Sequence, residues 1–121
     1  MAITYEIIKP QGILKFEVNS PPSISDYQAT MPGIIKAITS AKIKKWLIII
    51  NYGGENNTLE AMNFTNFAFD DLKKFIDKVA VVCSSDHEVR TRVVLEPLQN
   101  QGKEVVFFAS NEVAEDWLSR N

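Results

Sequence analysis

The feature that most constrains the fold is an unbroken run of apolar residues, Trp46 to Ile50. A strand with one wet face alternates apolar and polar residues, so this run indicates a strand that is covered on both sides. We place the strand at Trp46 to Tyr52, because Gly53 and Gly54 follow immediately and favour a turn. A doubly covered strand is typical of a parallel sheet with helices on both faces.

The other predicted strands indicate the position of this strand in the sheet. Strands at Ile3 to Ile8 and Ile13 to Val18 are separated by a short Pro/Gly turn, which predicts an antiparallel hairpin. Later strands at Lys78 to Cys83 and Glu104 to Phe108 alternate with helices, which predicts parallel pairing. The predicted order is ββαβαβαβα, an α/β fold with a mixed, mostly parallel five-stranded sheet and an N-terminal antiparallel hairpin. At 121 residues, the chain 1–121 is expected to be a single domain.

The first predicted helix begins near Ser25, which has the capping-box spacing to Gln28. Pro32 lies inside the helix and is expected to kink it or to split it in two, because proline removes one backbone donor. The helix presents an apolar face made by Tyr27, Met31, Ile34, Ile35 and Ile38.

A second helix, from about Leu59 to about Phe75, carries two apolar stripes. A face that wide predicts either deep burial or a second contact, with a partner or with an apolar ligand. The second stripe is the candidate interaction surface, and its residues are Phe64, Phe67 and Phe75. In the rest of the chain, Ser85 and Ser110 are predicted helix caps.

Composition excludes several classes of function. The net charge is −2, which argues against a nucleic-acid-binding surface. The lysine-rich stretch Lys42 to Lys45 is interrupted by Ile43 and predicts the solvated start of a strand. No apolar run is long enough to cross a membrane, so no integral membrane association is expected. The N-terminus shows no signal-peptide pattern, and a cytoplasmic location is the resulting expectation.

Catalytic chemistry has little support in the sequence. Cys83 ends an apolar stretch and is expected to be a buried structural thiol. The single histidine, His87, has no second histidine to share a metal, so we predict neither a metal site nor a cofactor. Asp70 and Asp71 stand beside lysines and indicate a solvated helix face. We therefore expect no enzymatic activity.

The loop after the central strand is the strongest candidate for a binding site. In open α/β sheets, ligands bind beyond the carboxyl ends of the strands. There the sequence has two glycines and a polar run that leads into a helix, whose free backbone amides favour anions. The candidate anion-binding or phosphoacceptor residues are Gly54, Asn56, Asn57 and Thr58.

Several strings of the sequence, taken in order, resemble a known family. They are Ser25-Asp26-Tyr27 with Met31-Pro32, Trp46 to Ile50, Phe69 to Lys73 before Lys78 to Val82, and Val106 to Phe108 before Val113 to Leu118. The chain resembles the SpoIIAA-like family of STAS-type domains, which are related in fold to anti-sigma-factor antagonists and share features with CRAL-TRIO lipid-binding domains.

The resemblance implies a non-enzymatic regulatory or protein-interaction module that binds a protein partner or forms a homodimer. It implies that Thr58 matches the phosphorylated position of the antagonists, although Asn57 replaces their aspartate. The CRAL-TRIO kinship implies an alternative, a domain that binds a small apolar ligand or a lipid.

Overall fold

The computed structural model of the chain describes residues 3–20, 23–51, 67–68, 70–83, 88, 92, 95–96 and 99–120. Within them, a five-stranded sheet has its strands side by side in chain order. The first pair is antiparallel and the three later pairs are parallel, as predicted. The strands are β1 (Ile3–Ile8), β2 (Ile13–Val18), β3 (Lys45–Ile50), β4 (Lys78–Val82) and β5 (Glu104–Phe108).

The central strand β3 is buried on both faces, as its apolar run predicts. Trp46 and Ile48 belong to one hydrophobic core, and Leu47 and Ile49 belong to a second core on the opposite face. The predicted bounds need small corrections, because β3 begins one residue earlier and ends at Ile50, and β4 ends one residue before Cys83. The sheet therefore has a hydrophobic core on each of its two faces.

The first core lies between the sheet and helix α1 (Ile24–Ala41). Its N-cap is Ser23, and the predicted cap at Ser25 is wrong. The reason is electrostatic, because the Asp26 carboxylate accepts a hydrogen bond from the Ser23 backbone N–H at 2.8 Å, and an ionised acceptor is stronger than the Gln28 amide. The predicted split at Pro32 is also wrong, since α1 runs through it.

The buried side chains of α1 are spaced at helical intervals, which confirms the predicted apolar face. Met31, Ile34 and Ile38 are buried, and Tyr27 and Ile35 pack against the same core. Helical residues at 67–68 and 70–72 lie on this side of the sheet as well, where Ala68 and Leu72 are buried. This helix ends at Leu72 rather than at the predicted Phe75.

The second core is covered by helix α2 (Asn111–Ser119). Ser110 is its N-cap, as predicted, and the Ser110 hydroxyl accepts a hydrogen bond from the Val113 backbone N–H at 3.2 Å. Ala114 and Leu118 are buried against the sheet, whereas Val113 is 56% exposed. The face of α2 that packs on the sheet is therefore centred on Ala114.

Candidate functional site

The described residues at the carboxyl ends of β2 and β3 form a polar junction. The Asn51 backbone N–H donates to the Val18 carbonyl at 2.8 Å, which extends the parallel ladder by one bond. The Asn51 side-chain amide donates to the Asn19 side-chain oxygen at 2.9 Å. These bonds hold the two strand ends together where the sequence places the polar loop. Gly54, Asn56, Asn57 and Thr58 lie outside the described residues, so the anion or phosphoacceptor site stays a prediction.

At the end of β4, the environment of Cys83 opposes thiolate formation. The side chain is partly buried, and burial raises the pKa of the thiol. The Glu88 carboxylate raises this pKa further, and the Arg92 guanidinium partly offsets the effect. A thiol whose pKa is raised is a poor nucleophile at neutral pH. The predicted neighbour His87 and the cap Ser85 lie outside the described residues.

The residues of the predicted phenylalanine stripe have different surroundings. Phe67 is 48% exposed. Phe75 is partly buried and packs against the first core. Phe64 lies outside the described residues. Of the two described phenylalanines, Phe67 is therefore the one that offers a large exposed aromatic surface.

A pair of aromatic rings, half-buried Tyr27 and exposed Phe67, joins α1 to the helical residues around Phe67. The ring centroids of Tyr27 and Phe67 are 5.6 Å apart, with their planes tilted by 52°. The Tyr27 hydroxyl donates a hydrogen bond to the Asp71 carboxylate. We call Tyr27, Phe67 and Asp71 the aromatic surface. Because Ala68 and Leu72 anchor the same helical segment in the core, Phe67 is held in place from beneath.

The two neighbouring aspartates have different roles. Asp70 is exposed and forms an ion pair with Lys73 at 2.9 Å, as a solvated helix face predicts. Asp71 is half-buried and accepts the bond from Tyr27. The sequence offered no signal for this second contact, because the two partners are 44 positions apart and Asp71 stands beside Lys73 and Lys74.

On the opposite face, an open cleft lies between the hairpin turn and α2. Its volume is about 290 Å³. The turn side is lined by Ile8, Gln11 and Ile13, and the helix side is lined by Glu112, Glu115, Asp116 and Ser119. Asp116 lies 2.9 Å from Arg120, and Glu115 lies 4.0 Å from Lys15, which it shares with Glu6 and Glu17. Within the part of the chain that the structure describes, no cluster of three metal-ligating side chains occurs. In the same residues, no helix is both long and apolar enough to span a membrane.

A solved structure has the same fold. The chain is 23% identical to an uncharacterized protein of the DUF3478 family from Shewanella loihica PV-4, which is described as having a SpoIIAA-like fold. The match covers 97% of this chain and 93% of that one, with a TM-score of 0.73. No protein-family profile and no curated protein matches the sequence. The similarity establishes the fold, which is SpoIIAA-like, as the sequence resemblance implied.

Proposed function

Because the chain has the SpoIIAA-like fold, we propose that it is a non-enzymatic protein-interaction module that regulates a partner by binding it in the cytoplasm. The observation that carries the proposal is the exposure of Phe67, 48%, on a helical segment that is otherwise anchored in the core. An exposed aromatic side chain that is held in place can serve as the anchor of a binding surface.

The surroundings of Phe67 suit a binding surface. Tyr27 supplies a second ring, and tyrosine and phenylalanine are both enriched in the cores of protein interfaces. Asp70 and Lys73 form an exposed ion pair beside them, which supplies a polar rim. Covering the exposed half of Phe67 contributes about 1 kcal/mol to binding. The contact to Tyr27 fixes the Phe67 ring in advance, so less conformational entropy is lost on binding.

The test is Phe67→Asp, with Val113→Asp as the matched control. Val113 is also a large exposed apolar residue, 56% exposed, but it lies on the other face of the sheet. Sedimentation velocity over a range of protein concentrations measures self-association. If the partner is a second copy, the unmodified chain and Val113→Asp dimerise with the same affinity, and Phe67→Asp weakens the dimer at least tenfold.

A chain that stays monomeric at the highest concentration, with Phe67→Asp sedimenting identically, rejects the homodimer. Binding to a different protein is then measured by quantitative capture of proteins on the immobilised chain. A partner that Val113→Asp retains and Phe67→Asp loses supports the proposal. If both variants retain the same proteins, the aromatic surface is not the interface.

The proposal includes phosphorylation of Thr58, which is supported by the family resemblance alone. A phosphate at the start of a helix would be stabilised by the free backbone amides there. Intact-mass analysis of the purified chain, and of Thr58→Ala, measures whether a phosphate is present and where it is attached. A phosphate that survives in Thr58→Ala places the modification elsewhere.

Binding of a small apolar ligand or lipid is the alternative. Its support is the exposed Phe67 ring, whereas the described cleft beside α2 has three carboxylates in its lining and suits no lipid tail. Native mass spectrometry of the freshly purified chain tests the alternative. A bound species that Phe67→Asp loses and Val113→Asp keeps favours this function over protein binding.

A further inference from the structure

At the end of the sheet where the parallel strands begin, three loops bring lysines together. The Asp77 backbone N–H donates to the Lys44 carbonyl at 2.8 Å, and the Glu104 backbone N–H donates to the Asp77 carbonyl at 3.1 Å. These two bonds align the starts of β3, β4 and β5. We call the lysines of these loops and strand starts the lysine edge, which consists of Lys42, Lys44, Lys45, Lys74, Lys78 and Lys103.

Most of the charge on the lysine edge is not neutralised. Two carboxylates lie along it, and each is already paired, since Asp77 lies 3.4 Å from Lys103 and Glu104 lies 3.6 Å from Lys78. Among the described residues, the other four lysines have no carboxylate within 4.0 Å. Six lysines against two carboxylates leave the edge at about +4, in a chain whose net charge is −2.

Two features of the lysine edge oppose folding. Lys45 and Lys78 are register partners on neighbouring strands, a like-charge pair that is offset in part by Glu104, 3.6 Å from Lys78, and by the Trp117 ring below Lys78. Lys42 follows α1 in the left-handed conformation, with φ 55°, where glycine is the favoured residue. A positive charge near the end of a helix is favourable, but neighbouring positions could supply it without the left-handed backbone. Fold stability alone therefore does not explain the lysine at position 42.

We propose that the lysine edge binds an acidic segment of a partner protein, with spaced carboxylates that pair with the unneutralised lysines. Nucleic acid fits less well, because duplex DNA carries one phosphate charge per about 1.7 Å of its axis. Phosphates at that density would face Asp77 and Glu104 as well as the lysines. Carboxylates spaced along a peptide can pair with the lysines and avoid Asp77 and Glu104. The edge also lacks arginine, the side chain whose planar fork suits bidentate phosphate contacts.

The part of the lysine edge formed by Lys42 and Lys44 is separate from the aromatic surface, whereas Lys74 lies three residues after Asp71. Tyr27 lies in the first turn of α1, and Lys42 directly follows its last residue. Most of the helix therefore lies between them, about 22 Å at 1.5 Å per residue. The test substitutions at Lys42 and Lys44 leave Tyr27 and Phe67 unchanged, so the two proposals succeed or fail independently.

Fluorescence anisotropy with a labelled peptide of alternating glutamate and serine tests the proposal on the full chain. Lys44→Gln removes an exposed, unpaired charge from the edge and is expected to weaken binding about threefold. Lys36→Gln is the matched control, because Lys36 is exposed and unpaired among the described residues but lies on α1 away from the loops. It is expected to bind the peptide with the affinity of the unmodified chain. Added salt is expected to weaken binding in the unmodified chain.

Lys42→Gly separates binding from folding. Glycine is favoured in the left-handed conformation, so this variant is expected to raise the urea midpoint of unfolding. The same variant is expected to weaken peptide binding about threefold, because it removes one charge. A chain that becomes more stable and binds less tightly shows that Lys42 serves binding rather than folding.

Three results overturn the proposal. The first is the absence of peptide binding at low salt. The second is equal affinity of Lys44→Gln, Lys42→Gly and Lys36→Gln. The third is tighter binding, by the same lysines, of single-stranded DNA or of vesicles that contain phosphatidylserine, which would make the occupant a phosphate-bearing polymer or a membrane.

Discussion

Tyr27 and Asp71 lie 44 positions apart in the chain, and the Tyr27 hydroxyl donates a hydrogen bond to the Asp71 carboxylate. The bond connects the first turn of α1 to the helical segment that carries Phe67. Both side chains are half-buried, so water competes for the bond less than it would on an open surface. The position of Phe67 therefore depends on a contact between two distant parts of the sequence.

Tyr27→Phe is expected to lower the free energy of unfolding by about 1 kcal/mol, because the Asp71 carboxylate loses a donor while the ring contact to Phe67 is kept. Urea denaturation measures the change. Asp71→Asn and the double variant complete a cycle, in which the two single effects are expected to sum to more than the effect of the double variant. Strict additivity would mean that the bond contributes nothing to stability.

Thr30→Val is expected to raise the free energy of unfolding by about 1 kcal/mol. Thr30 is buried, and among the described residues its hydroxyl has no hydrogen-bond partner. Valine has nearly the same shape without the unsatisfied hydroxyl. Thr39→Val is the control, because the exposed Thr39 hydroxyl donates to the Ile35 carbonyl at 2.8 Å. Thermal unfolding of both variants measures the change in stability. A less stable Thr30→Val chain would show that the Thr30 hydroxyl does have a hydrogen-bond partner.

The effect of Gly33→Ala on stability depends on the position of the Tyr5 side chain. Alanine is favoured over glycine inside a helix by about 1 kcal/mol, but a Cβ at position 33 would lie 2.8 Å from the Tyr5 hydroxyl oxygen. Tyr5 is 40% exposed and can move aside at some cost. Gly33→Ala is therefore expected to stabilise the unmodified chain by less than the full amount, and a Tyr5→Phe chain by about 1 kcal/mol. Equal urea midpoint shifts in the two backgrounds would show that the hydroxyl imposes no cost.

Cys83 is expected to be alkylated slowly at neutral pH, because burial and the Glu88 carboxylate raise the pKa of its thiol. The reactive species is the thiolate. The alkylation rate of Cys83 is therefore expected to keep rising at alkaline pH values where an exposed cysteine already reacts at its full rate. Mass spectrometry of the iodoacetamide reaction from neutral to alkaline pH measures the rate. The urea-unfolded chain is the control, and folded and unfolded chains that react equally fast at neutral pH would contradict the effect of burial.

The sheet could be predicted from the sequence because each strand carries its own pattern. The alternation in β2, the unbroken apolar run in β3 and the short turn between β1 and β2 are all local features, and the observed pairing matches them. The start of α1 was harder to predict, because Ser23 and Ser25 have similar spacings to an acceptor. The choice between them depends on the charge of Asp26, which a spacing pattern does not weigh.

The candidate surfaces depend on contacts across the chain that no local pattern contains. Phe67 and Phe75 look alike in the sequence, yet only Phe75 packs against the core, because the helix ends at Leu72 and the chain then turns. The lysine edge could be predicted only in part, because the stretch Lys42 to Lys45 is local, whereas Lys78 and Lys103 come from separate segments that meet it through backbone bonds near Asp77.

The side-by-side order of the strands has a consequence for biosynthesis. Each strand pairs with the strand made just before it, so no strand must be inserted between two that are already paired. The sheet can therefore grow at one edge, in the order in which the ribosome releases the chain. The hairpin of β1 and β2 forms first, and it gives β3 an edge to pair with before β4 and β5 have emerged.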